Sequence, residues 1–294
     1  MTLTHRLIIG LLLTVASTAH ANPPGQNTPE TRRAGLAIIG ASASAGWGVV
    51  VPVLNPSEGN RFLHVHLGDA LRAVDPNLPK AVTPSGSPGF FRLSSKGRDR
   101  IVDNAIASNP EVVSAIDFLF WYGYGSVWGE DATTETQARA NRLEQGLAQL
   151  DRIAALGVPV IVGDLPDVND ALDAKPFSFL GRSQVPTAEM IKPMNERILE
   201  WAGTHDNVHL LQLGTLVGDM KAGKQVLAGG VPWGPEPRLM QHDRLHPSPE
   251  GLLALAAATA EQIQIARGRT VLTINKEAVR RAIRIKDSSV PSAP

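Results

Sequence analysis

The chain has no cysteine among its 294 residues. That excludes disulfides, thiolate metal sites and a cysteine nucleophile, and it excludes a lipid anchor on a cysteine after the N-terminal apolar run. Neither sign of charge is in excess, since 28 Lys and Arg stand against 28 Asp and Glu. Bulk charge therefore points to no nucleic-acid partner. No P-loop and no Gly-x-Gly-x-x-Gly turn follows a strand-like run, so no phosphate cradle and no cofactor is implied. The N-terminal apolar run, Leu7–Val15, is too short to span a bilayer comfortably. Internal repeats are lacking, and no compositional break divides the body of the chain.

What is present starts with an export signal. His5 and Arg6 precede Leu7–Val15, and Ala19-His20-Ala21 fits a small-x-small cleavage site. The expectation is a signal peptide over residues 1–21 and a bacterial protein delivered to the periplasm or the medium, with no stable membrane insertion after cleavage. Residues 22–33 are polar and Pro-rich and read as a flexible lead-in. Residues 34–267 read as one domain, and residues 268–294 as a basic tail forming a solvated surface helix.

Within the domain, apolar runs alternate with helical patterns. Leu36–Gly40 reads as a first buried strand, Val112–Trp121 as a second, Val158–Val162 as a third and Val208–Leu213 as a fourth. Between them, Arg61–Val74, Asp99–Ser108, Thr134–Leu156 and Thr187–Ala202 read as helices. Pro193 starts, kinks or splits the last of these. A final helix is capped by Ser248 with Pro249 at its first position. Trp47–Pro56 and Gly214–Gln241 read as largely irregular. Strict alternation of strand and helix predicts a three-layer α/β/α fold of flavodoxin-like type, with a mostly parallel sheet of four or five strands.

Two stretches carry chemistry. Gly40-Ala41-Ser42-Ala43-Ser44 follows the first strand, and open α/β sheets place their sites at the carboxyl ends of strands. Some 200 residues later come His242-Asp243-Arg244-Leu245-His246, just before the last helix. Together they supply a nucleophile, a base and an orienting acid. Ser42 and Ser44 compete for the first role. Asp243 and His246 take the others, and His242 is a loop neighbour. His64 with His66, and His242 with His246, contain residue types that ligate metals. His64 and His66, placed on a helix, point to different sides, so no metal site is expected.

These blocks resemble those of the SGNH/GDSL-type hydrolases, a family of serine esterases and acylhydrolases. Ser42 matches that family's nucleophile, and Asp243 and His246 its Asp-x-x-His block. Gly163-Asp164-Leu165-Pro166-Asp167 and Pro193-Met194-Asn195 are similar to the middle of several such proteins. The resemblance implies a cofactor-free acyl-enzyme mechanism on a small-molecule, carbohydrate or lipid ester. The family's Asp before the serine is Ala41 here. Its Gly-x-Asn-Asp block, sought after Trp121, is replaced by Tyr122-Gly123-Tyr124-Gly125. That leaves the oxyanion donors to be found elsewhere: the N–H groups of Ser42 and Gly86, and the Tyr122 hydroxyl if the strand end turns inward. The departures motivate one alternative, a non-catalytic binding protein on the same fold. A metal-dependent hydrolase using the histidines is a third reading.

Overall fold

The computed structural model describes residues 33, 35–53, 62–80, 86–87, 95–127, 134–174, 180–269 and 273–284. The expected signal peptide, and all of the lead-in but Arg33, lie outside them. The elements in chain order are β1 (Leu36–Ile38), β2 (Val50–Pro52), β3 (Phe62–His64), α1 (Leu67–Val74), α2 (Ser95–Ala107), β4 (Val112–Ala115), α3 (Phe120–Gly123) and α4 (Glu135–Ala154). They continue as β5 (Val160–Gly163), α5 (Ala188–Gly203), β6 (Val208–Leu211), α6 (Leu213–Lys221), β7 (Val226–Ala228), β8 (Val231–Trp233), α7 (Pro249–Ala266) and α8 (Lys276–Ala282).

β1, β4, β5 and β6 form a four-stranded sheet in that order, and every pairing in it is parallel. A parallel sheet needs both faces covered, and its strands alternate their side chains between the two. Ala37, Val113, Ala115, Val160 and Val162 enter a core shared with α4 and α5. Leu36, Ile38, Val112 and Ile161 enter a second core shared with α1 and α7. The layers are therefore helix, sheet, helix. α7 is apolar on nearly all sides, because it lies between the sheet and α1.

Several elements differ from the sequence-based expectation. The run Val112–Trp121 is not one strand. β4 ends at Ala115, the chain turns through residues 116–119, and α3 follows. Phe118 N–H donates to the Ala115 carbonyl. A short apolar run cannot by its periodicity be told from a buried turn and helix, and tertiary packing of the four aromatic and leucine side chains decided the matter. Arg61–Val74 is likewise split into β3 and α1, and β3 pairs antiparallel with β2 inside the expected Trp47–Pro56 loop. The Gly214–Gln241 stretch contains most of α6 and the β7–β8 hairpin.

Beyond Arg267 the chain returns to the body. Ile274 and Val279 are buried in the second core. Arg280 forms an ion pair with the buried Glu250 of α7, and Lys276 donates to the Pro232 carbonyl. The described part of the basic stretch thus packs on the domain instead of standing free, as its apolar stripe at Val279 and Ile283 requires. Among the described residues no helix is long and apolar enough to cross a membrane.

Candidate active site

The first strand ends at Ile38 and the chain at once winds into a tight coil, residues 41–48. Ala45 N–H bonds the Ala41 carbonyl, Gly46 N–H that of Ala43, and Trp47 N–H that of Ser42. Within this coil the two candidate serines part company. Ser44 is fully buried. Its Oγ donates to Asp117 Oδ1 at 2.5 Å and its N–H to Asp117 Oδ2 at 3.0 Å. Ser42 is only half-buried. Ser44 is an anchor, and Ser42 is the more accessible of the two serines.

Asp117 was not singled out from the sequence, although it organises the coil. It sits in the turn after β4, completely buried, and also accepts from the N–H groups of Ala41 and Ala43. Burial pushes its carboxyl pKa up, against these hydrogen bonds, which favour the charged form. Gly40 makes this approach possible, because a Cβ there would lie 2.0 Å from Asp117 Oδ1. The missed signal was the true end of β4. β4 stops at Ala115, so Asp117 lies just past the carboxyl end of the strand that pairs with β1, beside the coil that follows β1.

The coil is also held from the other side. His64 Nε2 and His66 Nδ1 both bond the Ala45 carbonyl, at 3.0 and 2.8 Å, and their rings meet edge to face with centroids 4.6 Å apart. The helical placement of this pair does not hold. His64 ends β3 and His66 is the N-cap residue of α1, so the two side chains converge instead of diverging. They converge on a carbonyl, and no cluster of three or more potential metal ligands occurs among the described residues.

Asp243 and His246 lie in a narrow loop closed by the Met240–Pro247 bridge. Gln241 N–H donates to the His246 carbonyl at 2.9 Å. One Asp243 oxygen accepts from the N–H groups of Leu245 and His246, each at 3.0 Å. The other lies 2.6 Å from His246 Nδ1. Both side chains are about 5 % exposed. Burial alone would raise the Asp243 pKa. The hydrogen bonds from the His246 ring and from the His246 and Leu245 N–H groups outweigh it and hold the carboxyl below its ordinary range.

The two blocks meet. The His246 and Trp47 ring centroids are 6.1 Å apart, and Gln241 Nε2 donates to the Trp47 carbonyl at 2.7 Å. The loop bearing His246 is therefore fastened to the far end of the coil bearing Ser42. Gly86 joins them: a Cβ there would lie 2.6 Å from the Gly40 and Ala41 carbonyls, and Ser87 N–H bonds the Gly40 carbonyl. Tyr122 does not join them. Its ring packs against Gly146 of α4 and beneath the Arg98 guanidinium of α2. Burial raises its pKa and its hydroxyl is engaged by Arg98, so it belongs to the helix layer. His242 is exposed. The middle blocks are structural: Asn195 clamps the Leu165 N–H and carbonyl, and Asp164 accepts from Gly214 N–H at the start of α6.

The depressed Asp243 pKa has a measurable consequence. A carboxylate stabilised in the folded state contributes stability above its unfolded value of about 3.9, and loses it as pH falls through the folded value. Urea midpoints of the wild type should therefore fall more steeply than those of Asp243→Asn as pH is lowered below about 4. Parallel curves for the two proteins would show that the Asp243–His246 bond is not made in solution.

No family model matches the chain, and no curated protein does. Solved structures do match. One is titled a gut microbial diltiazem-metabolizing enzyme; it is 15 % identical, with a TM-score of 0.49, over 79 % of this chain and 47 % of that one. The chain thus spans about half the length of that protein.

Proposed function

We propose that the protein is an exported serine hydrolase that cleaves an ester through an acyl-enzyme, with Ser42 as nucleophile, His246 as base and Asp243 as the orienting acid. The observation that carries this reading is the buried Asp243–His246 pair fastened to the coil of Ser42. With Asp243 at Nδ1, that nitrogen carries the ring proton and Nε2 keeps its lone pair for the serine hydroxyl. Ser42 Oγ attacks the carbonyl carbon as its proton passes to Nε2. The imidazolium then protonates the leaving alcohol. Water, deprotonated by the same nitrogen, attacks the acyl-enzyme and releases the acid. The N–H groups of Ser42 and Gly86 are the proposed donors to the oxyanion, Gly86 because its backbone lies against Gly40 and Ala41. Two donors of this kind are worth a large share of such a rate enhancement. No metal and no cofactor enters this chemistry. The substrate is an ester of a small molecule, a sugar or a lipid.

A fluorophosphonate probe tests the assignment. It should label the wild type on the peptide containing Ser42, identified by mass spectrometry, and should not label Ser42→Ala. An intact protein that takes no label favours the non-catalytic binding reading, for which Ala41 and the Asn missing from Tyr122-Gly123-Tyr124-Gly125 are the motive. Label on Ser44 would overturn the division of roles between the two serines.

A further inference from the structure

The loop that carries His246 has a second face. Arg238–His242 and Arg244, with Pro235 and Glu236, wall a groove opposite the end of α6 and Asp170 of the segment after β5. Gln241, His242 and Arg244 line it, so the groove runs up to the residues that flank Asp243. Lys221, Lys224, Arg238 and Arg244 face it against the carboxylates of Asp170 and Glu236. The two lysines are occupied. Lys221 pairs with Asp170 and donates to the Asp167 carbonyl at 2.6 Å, and Lys224 pairs with Asp219 at 2.8 Å. Arg238 and Arg244 are exposed and form no ion pair among the described residues. The groove therefore presents two guanidinium groups and the His242 ring, beside the Glu236 carboxylate, which forms no ion pair among the described residues.

Arg244 adds an independent observation. Its φ is 55°, in the left-handed region, where a Cβ crowds the following carbonyl oxygen at a cost that glycine escapes and that asparagine offsets by local hydrogen bonding. The loop imposes this conformation: Asp243 accepts from the two N–H groups after Arg244, and Arg244 N–H itself bonds the Gln241 carbonyl. The backbone requirement alone would be met at lower cost by glycine. Strain held at a site is a mark of use, and what arginine adds at this position is an exposed guanidinium on the wall of the groove.

We propose that this groove binds an oxyanion, a carboxylate or a phosphate, carried by the ligand whose ester is presented to Ser42 and His246. Arginine forks suit both anions bidentately. The link to an ester rests on the hydrolase reading above; the anion site itself does not. Calorimetry on Ser42→Ala separates the two. Glutarate and phenyl phosphate are titrated into Ser42→Ala, alone and combined with Arg244→Gly or Arg238→Gln. At least one anion should bind, with Kd raised about tenfold by either arginine change, and weakened by salt. Which of them binds decides between carboxylate and phosphate. Arg244→Gly should also raise the melting temperature while weakening the anion, an outcome that unfolding cannot imitate. In parallel, the ratio of kcat/KM for mono-p-nitrophenyl glutarate over p-nitrophenyl butyrate should fall about tenfold in Arg244→Gly made in the otherwise wild-type protein. Failure of both anions to bind at about 10 mM, or equal Kd values in the arginine variants, would overturn the groove. Turnover of neither ester by the wild type would instead overturn the hydrolase reading, and the calorimetry would still decide the groove.

Discussion

Ser42→Ala should lower kcat on a p-nitrophenyl ester by a factor on the order of 10⁴ or more, and His246→Ala by nearly as much. The reason is that the two act on one proton. A serine hydroxyl without a base is a poor nucleophile at neutral pH, and a base without the hydroxyl has nothing to activate. The double variant should consequently be no worse than either single one. If the two losses multiplied instead, Ser42 and His246 would be working independently and the shared-proton mechanism would fall. Asp243→Asn should cost less than either, because Asp243 acts through His246, setting its tautomer and stabilising the imidazolium. Ser44→Ala belongs to a different class. Ser44 Oγ is buried on Asp117, so its loss should appear first in stability and only secondarily in turnover. Steady-state rates beside urea melts for these five proteins separate chemistry from folding.

Asp117→Ala should be the most destabilising single change near the site. It strips the acceptor from Ser44 Oγ and from the N–H groups of Ser44, Ala41 and Ala43. A buried donor left without a partner costs about 1–3 kcal/mol, and part of this is recovered by relaxation or entering water. A loss on the order of 3–6 kcal/mol is expected, against a total of about 5–15 for an ordinary domain. Asp117→Asn should do little better, because an amide turns an NH₂ group toward donors that need an oxygen. Urea denaturation of both variants measures the effect. A cost under about 1 kcal/mol would mean that the coil of Ser42 is held without Asp117, and that His64 and His66 at the Ala45 carbonyl suffice. Folded Asp117→Ala should also have lost most of its turnover, since Ser42 is positioned only through the coil.

The parts of this protein legible in its sequence are those set by local pattern. Buried strands announce themselves as short apolar runs: β1 and β6 fall within the runs that marked them, and β5 passes the end of its run by Gly163. α4 and α5 follow from apolar spacing and α7 from its cap: Ser248 accepts from Gly251 N–H, as its position before that helix suggested, while Thr134, read as the first residue of α4, is instead its cap and accepts from Gln137 N–H. The Asp243–His246 pairing was also readable, because three residues in a tight turn bring the two side chains together whatever the rest of the chain does.

The rest depended on residues distant in sequence. Ile116–Trp121 is as apolar as a strand, and only its packing against α4 and the need of Ser44 for an acceptor end β4 at Ala115. Asp117 is 73 positions from the serine it binds, and Asn195 is 30 from the Leu165 backbone it clamps; neither partner is visible in a local window. His64 and His66 diverge on a helix and converge across a strand end, so their role turned on the pairing of β3 with β2. Between Ser42 and Ser44 local pattern was silent and only the resemblance favoured Ser42: two serines on one turn are equivalent by spacing, and burial of Ser44 on a carboxylate in the turn after β4 is what distinguishes them in the fold. Local propensity sets which segments become strands and helices, whereas hydrogen bonds to buried polar groups, satisfied only by residues far along the chain, set where each segment stops and which side chain is left for chemistry.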